Sequence, residues 1–343
     1  MVSWLERTAD PGRVHTEGRM VRAAIEDARD AVAGLVGARS REVVFTSGAT
    51  EACNAAVWGA VGLHRSGGVA CALVEHSSVR DAAARTGRMV PLPVDSLGRL
   101  FSFPADGFAL VNCQWGNHEV GTLQPVSSVV AACRSAGTLV HVDAAQACGR
   151  VPVDFGSLGA DMVSVSAHKF GGPPGVGALI VRRGLRLPPF VVGGSQERER
   201  RGGMENVGGI VGFGVAAAAV DVAAEAEVAF RQTSALLRDA LAVPGVVAYG
   251  DVVDRLPHIV CIGVPGVEAE AVLLGLDQAG IAAHSGSACS SESLEPSPVL
   301  DAMGVDAERS LRLSVGWSTT DEDVAAFAVA FPEVVARLRA LAG

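Results

Sequence analysis

The sequence predicts an α/β protein: a large domain on a mainly parallel sheet, followed by a smaller α+β domain. Three observations carry this expectation. Short apolar runs bounded by turn residues recur between residue 19 and about 190, helical stretches separate several of them, and the pattern changes beyond Pro244.

The elements follow in order. "RMVRAAIEDARDAVAGLVG" has helical spacing and stops at Gly37, "EVVFT" is a short β-branched strand, and "SGATEACNAAVWGAVG" turns into a helix. Strand-like runs recur at "VACALVEH", "FALVNCQW", "TLVHVDA", "DMVSVSA" and "GALIVRR", with the helix "VSSVVAACRSAG" among them. Residues 208–241 read as one long Ala-rich connecting helix. Beyond it lie the strands "VVAYG" and "HIVCIGV", the helix "EAEAVLLGLDQAG" and a last helix over roughly 321–341. The expected division is 1–240 for the large domain, with its core at 19–207, and 245–343 for the small one.

Composition narrows the function. At 343 residues and 49% hydrophobic, the chain can bury a large core. Its longest apolar stretch, "GIVGFGVAAAAVDVAAEAEVAF", is interrupted by Asp221, Glu225 and Glu227, which argues against a membrane span. The N-terminus lacks the basic-then-apolar order of a signal peptide, so a cytoplasmic protein is expected. A net charge of −9 argues against nucleic acid as the main partner. Seven cysteines, odd in number and without a C-x-x-C, argue against a disulfide framework or a zinc site and fit a reducing compartment.

In open α/β sheets, ligands collect beyond the carboxyl ends of the strands. Three such ends carry unusual residues. Ser47, Gly48, Ala49 and Thr50 stand where a helix begins, as an anion site or as an ordinary N-cap turn. Asp143, followed by Gln146, ends an apolar strand and needs a cation or several donors, unless it caps the next helix. "SAHKFGG" holds Ser166, His168 and Lys169, the chain's one lysine among 28 Lys and Arg. Lys can lose its proton and form an imine with a carbonyl, which Arg cannot do. Phosphate cradle, acid and lysine together match the needs of pyridoxal phosphate.

At this point the chain resembles the cysteine desulfurases of the NifS/IscS kind, class V aminotransferases of pyridoxal-phosphate fold type I. The likeness runs from about His15 to the C-terminus. It rests on "FTSGATEACN", "EH" at 75–76, "NHEVGTLQPV", "HVDAAQ", "SAHKFGGPPGVGAL", "GGSQERERRGGMENV", "SGSACSSESLEPS" and "LRLSVG". The resemblance implies a homodimeric enzyme in which Lys169 bonds the cofactor, Asp143 pairs with its ring nitrogen and Gln146 meets its phenolic oxygen. Thr50, Ser166 and His168 would hold the phosphate, and His76 would stack on the ring and assist proton transfers. Arg312 would clamp the substrate carboxylate. Cys289, in a Gly/Ser-rich segment unlike the setting of the other cysteines, would take sulfur from L-cysteine as a persulfide, leaving alanine. An acceptor protein or small thiol would then collect the sulfur.

Three departures from the family pattern stand out. A Y-L-D-N-A-A-T-T-like opening strand has no counterpart, which implies a wider entrance or completion by a partner. His118 replaces the second Asn of N-N-E, where the family touches cofactor and substrate. Met204 replaces a Thr that reaches the phosphate of the neighbouring subunit's cofactor, which implies looser cofactor binding. Two other readings stay open at this stage: a related lyase acting on selenocysteine or cystine, and a partner-activated sulfur-transfer subunit with weak activity alone.

Overall fold

A computed structural model describes residues 1–6, 9–103, 105–285 and 296–342. Cys289 and the "SGSACSSESLE" segment around it lie outside the described residues, apart from Ser285. The chain divides into two compact units, one of 1–92, 103–115 and 125–222, the other of 93–102, 116–124 and 223–343.

The first unit holds a seven-stranded sheet: β1 (Val43–Thr46), β2 (Gly68–Ala72), β3 (Met89–Leu92), β4 (Phe108–Gln114), β5 (Leu139–Asp143), β6 (Met162–Ser166) and β7 (Gly177–Val181), in the order β1-β7-β6-β5-β4-β2-β3. β3, β2, β4, β5 and β6 pair in parallel, and β7 runs antiparallel to both β6 and β1. β1 therefore points the same way as β6. Among the described residues, five helices of eight or more residues belong to this unit: α1 (Thr16–Leu35), α2 (Ala49–Leu63), α3 (Ser77–Arg85), α4 (Val126–Ala136) and α5 (Val207–Ala219).

Both faces of the sheet are covered, as its mainly apolar, buried strands require. Val44 packs with Ala52, Cys53, Ala56 and Val57 of α2. Its neighbour Phe45 points the other way, edge-on to Phe213 of α5 at 6.2 Å and beneath the Arg29 guanidinium of α1. Burying such side chains stabilises by about 1.5–3 kcal/mol each.

The second unit carries β8 (Val247–Tyr249), β9 (Ile259–Gly263) and β10 (Ser310–Ser314), an antiparallel sheet of order β10-β9-β8. Ala223–Leu241 of α6 (Val222–Leu241), together with α7 (Ala269–Gln278) and α8 (Asp321–Ala342), shares its core, where Leu236, Val272, Phe327 and Phe331 meet Val260, Ile262 and Leu311.

Two expectations need correction. The single helix expected over 208–241 is two, α5 and α6, because Val220 takes an extended conformation (φ −73°, ψ 122°) that ends the first. β3 was not foreseen: it contains Pro91, which lacks an N–H and is tolerated because β3 is an edge strand. Among the described residues, no single helix is long and apolar enough to cross a membrane.

Candidate active site

The sheet lines up the unusual residues at one end of its parallel strands. Register places Thr46 and Ser166 on either side of Gly177, and Asp143 opposite Gln114. Along the sheet the order is Thr46–Thr50 after β1, Ser166–Lys169 after β6, Asp143–Gln146 after β5, Gln114 on β4, and Glu75–His76 after β2. The predicted cofactor residues Gly48, Ala49, Thr50, His76, Asp143, Gln146, Ser166, His168 and Lys169 thus share one edge of the first unit.

The cradle depends on glycine. Gly48 has φ 157° and ψ 178°, a conformation essentially closed to other residues. A Cβ on Gly177 would lie 2.8 Å from the Gly48 Cα, so β7 approaches this turn only because position 177 has no side chain. The Thr46 hydroxyl donates to the Gly48 carbonyl at 2.9 Å, and the Ser47 N–H donates to Glu51 at 2.9 Å. Burial alone would raise the Glu51 carboxyl, but Arg201, with the Ser47 hydroxyl and N–H, holds it below the usual range. The Thr50 hydroxyl is on an exposed residue at the start of α2.

At the end of β6 a single turn, Ala167–Phe170, carries His168 and half-buried Lys169. Ser166 Oγ lies 2.9 Å from His168 Nδ1. Partial burial, then the Lys169 ammonium, lowers the His168 pKa. Arg150 donates to the Lys169 carbonyl at 3.2 Å, fixing the turn from below. Asp143 is half-buried, its Oδ1 accepting from the Ala145 N–H at 2.9 Å. His76 caps α3: its Nδ1 accepts from the Ser78 N–H at 3.1 Å. A backbone N–H can only donate, so the neutral ring carries its proton on Nε2.

The segment before Met204 is latched by polar contacts. Glu197, Arg198 and Glu199 have φ of 47°, 58° and 65°, a left-handed turn that is costly for residues with side chains. Glu197 is buried, forks onto Arg29 at 2.7 and 2.8 Å, and accepts the Phe45 N–H at 2.9 Å. That N–H lies on the edge strand β1, so the carboxylate also closes an open sheet edge. Met204 itself is 67% exposed, among residues that include Thr46, Ser47 and Arg201.

Arg312 and His118 belong to the second unit. Arg312 lies on β10 and donates to the His118 carbonyl at 3.1 Å. Its backbone pairs with His284, two residues before the undescribed segment. Burial pushes the Glu119 carboxyl up, but the His118 ring at 3.5 Å and the Ser297 hydroxyl at 2.6 Å, with Arg312, hold it below the usual range. Cys289 is outside the described residues. The other six cysteines are buried free thiols, and no group of His, Cys, Asp and Glu among the described residues is placed to hold a metal.

Several polar residues of the sheet were not singled out from sequence. Glu75 is fully buried and accepts the Gln114 N–H at 2.6 Å. His141 is fully buried between Asn112 at 2.9 Å and Ser164 at 2.7 Å, and burial lowers its pKa to about 3. Glu197 and Arg29 complete the set.

A lysine at the end of a strand, an acid on the adjacent strand and a glycine cradle at a helix start define an enzyme of pyridoxal-phosphate fold type I. The donor set fits that cofactor: an anion site without a side chain at Gly48, a carboxylate at Asp143, and an amine at Lys169. The aminotransferase class-V profile matches residues 6–327, and the chain belongs to that family. A cysteine desulfurase of Nostoc sp. is 39% identical over 97% of this chain and 87% of its own length. A solved NifS-like protein superposes with a TM-score of 0.89 at 30% identity, covering 98% of this chain and 94% of that one. The solved structure titled SspA in complex with cysteine gives 0.78 at 27% identity, covering 89% and 90%.

Proposed function

We propose that this chain is a pyridoxal-phosphate-dependent L-cysteine desulfurase, which yields L-alanine and passes the sulfur through Cys289 to an acceptor. The observation that carries the reading is the position of the chain's one lysine, Lys169, in the turn that follows β6, with Asp143 ending the adjacent strand β5. The desulfurase relatives and the cysteine-bound structural neighbour support the substrate.

When bound, pyridoxal phosphate supplies an electron sink for the pair left at the substrate α-carbon. Gly48, Ala49, Thr50, Ser166 and His168 would hold its phosphate, Asp143 would hold a proton on its ring nitrogen, and Gln146 would meet its phenolic oxygen. Lys169, as a neutral amine, would remove the α-proton. His76, with its proton on Nε2, would serve the ring face and could donate from that atom. Arg312 fixes the substrate carboxylate, with His118 beside it. The Cys289 thiolate attacks the substrate sulfur: an S–S bond forms as the C–S bond breaks, the bonding pair stays with carbon, and that carbon takes up a proton so that the skeleton leaves as alanine. A thiol of an acceptor protein or a small-molecule thiol then takes the outer sulfur.

We also propose a cytoplasmic homodimer. Trp58 of α2 is 56% exposed and lies edge-on to Phe190 at 6.3 Å, and Val192, two residues after Phe190, is exposed too, an apolar surface suited to a second copy. Six free buried thiols suit a reducing compartment.

The test is alanine formation from L-cysteine by the cofactor-loaded protein, with and without a reductant. Cys289→Ala should abolish turnover and leave cofactor absorbance intact, whereas Lys169→Ala should remove both. Full turnover in Cys289→Ala would sink the persulfide route.

A further inference from the structure

Glu75 is the most buried acid next to the candidate site, and the steps above give it no task. Its residue is 0% exposed. Oε1 accepts the Gln114 N–H at 2.6 Å, while Oε2 is buried without a hydrogen-bond partner among the described residues. The Gln114 side chain donates back to the Val74 carbonyl at 3.0 Å, so Glu75 is clamped to the end of β4. Gln114 is in turn the register partner of Asp143. Two carboxyl groups therefore flank the end of one strand.

The surroundings decide which of them holds charge. Burial, then the Asp143 carboxylate, raises the Glu75 pKa to about 8, against the partial pull of the Gln114 N–H and of Arg80 on α3. The thiols of Cys53 on α2, Cys71 on β2 and Cys113 on β4 also feel Glu75, and all three are pushed up by burial and therefore neutral. His76 follows directly in sequence. An ionised acid with a bare, buried Oε2 would leave a charge unsolvated, whereas a protonated one leaves a single O–H without a partner.

We propose that Glu75 is a neutral carboxylic acid in the folded protein and a positioning residue for Asp143, leaving Asp143 as the single carboxylate charge beside the cofactor's ring nitrogen. The second half of this statement rests on the cofactor role given to Asp143 above. The first half does not.

Linkage makes the protonation measurable without cofactor. In the unfolded chain Glu75 ionises at the ordinary carboxylate value, so its contribution to stability is full below that value and is lost as pH rises to about 8. Glu75→Gln keeps a neutral group of the same shape and should remove this loss. Denaturant unfolding of the apoprotein at pH 5, 6, 7, 8 and 9 should show the variant gaining on the wild type, on the order of a hundredfold in the unfolding equilibrium between pH 5 and 8. Parallel profiles would overturn the proposal.

Infrared spectra of the folded apoprotein give a reading independent of the variant's stability. A protonated-carboxyl band should persist at pH 7 in the wild type, and it should titrate at lower pH in Asp143→Asn, where the neighbouring charge is gone. Its absence at pH 7 in the wild type would overturn the proposal. In the cofactor-loaded protein, the visible absorbance should show an alkaline inflection near pH 8 that Glu75→Gln lacks, with matching spectra at pH 6.5. Identical titrations would overturn the link to Asp143. A wild type that keeps the infrared band but takes up no cofactor would refute the functional reading and leave the buried acid established.

Discussion

The Arg312 guanidinium donates to the backbone carbonyl of His118 at 3.1 Å. The two residues that the resemblance assigns to substrate binding are thus tied to each other, and through the main chain. The tie does not depend on what side chain stands at 118, so a chain that departs from the family there keeps its arginine in place. The Arg312 Nε is buried without a hydrogen-bond partner among the described residues, so the group has unspent capacity to donate.

Arg312→Lys retains the charge but loses the planar fork. It should lower kcat/KM for L-cysteine roughly 10- to 150-fold, through KM above all, the equivalent of about 1.5–3 kcal/mol for a hydrogen bond to a charged group. His118→Asn, which keeps the carbonyl, should have a smaller effect. Steady-state kinetics on both variants checks this, and an unchanged KM in Arg312→Lys would remove Arg312 from the substrate.

Met204 presents a largely exposed thioether where the family has a hydroxyl that reaches the neighbouring subunit's phosphate. Met204→Thr should tighten cofactor binding by about 1.5–3 kcal/mol, provided the protein is a dimer. The measurement is the Kd for pyridoxal phosphate by absorbance titration, with the oligomeric state of each variant determined by light scattering. Equal affinities in two dimeric proteins would show that something else satisfies the phosphate.

The left-handed turn at 197–199 is held by one buried ion pair, so its two ends can be tested separately. Glu197→Gln strips buried Arg29 of its bidentate carboxylate, leaves only the partly exposed Glu26 at 3.3 Å, and should cost up to about 3–5 kcal/mol. Arg198→Gly, at φ 58° and ψ 45°, removes the side chain's objection to that conformation and gives up only the exposed contact to Glu26. It should be neutral or stabilising by about 1 kcal/mol. Denaturant melts of both variants decide it. A clear loss in Arg198→Gly would mean that the turn is not strained.

What could be read from the sequence, and what could not, follows from the same distinction. The inner strands were legible because a strand buried on both faces can run without a polar residue to blur it, as in Gly177–Val181. The break between α5 and α6 was not, since Val220-Asp221-Val222 carries neither Gly nor Pro. Lys169, Asp143 and Thr50 were legible because their residue types are odd at the end of an apolar strand. Glu75, His141 and Glu197 were not, because their meaning lies in burial and in distant partners. Glu75 meets Gln114 across 39 positions, and Glu197 meets Arg29 across 168. Nothing local in "VEHSS" or "SQERER" marks the acid as buried.

His141 offers a test of the sheet beneath the candidate site. The Asn112 amide donates to the Ala70 carbonyl at 3.1 Å, so its oxygen is left to accept from His141 Nδ1–H, and Nε2 is left to accept from the Ser164 hydroxyl. The neutral ring thus fits the bonds around it. Protonation at Nε2 would turn the Ser164 hydroxyl round to accept and would place a positive charge in a fully buried site. The folded pKa of about 3 lies below the ordinary histidine value of about 6.5, so the unfolded chain takes up a proton that the folded one refuses. Stability should therefore be full above about pH 6.5 and fall by one proton's worth of slope, about 1.4 kcal/mol per pH unit, as the pH drops toward 3. His141→Gln lacks the titration and should show a shallower acid limb by that slope, even if it starts from a lower stability at pH 7. Urea melts at pH 7, 6, 5 and 4 separate slope from offset. Parallel acid limbs would mean that the ring takes up its proton in the fold as readily as in the unfolded chain, with the Ser164 hydroxyl accepting from it.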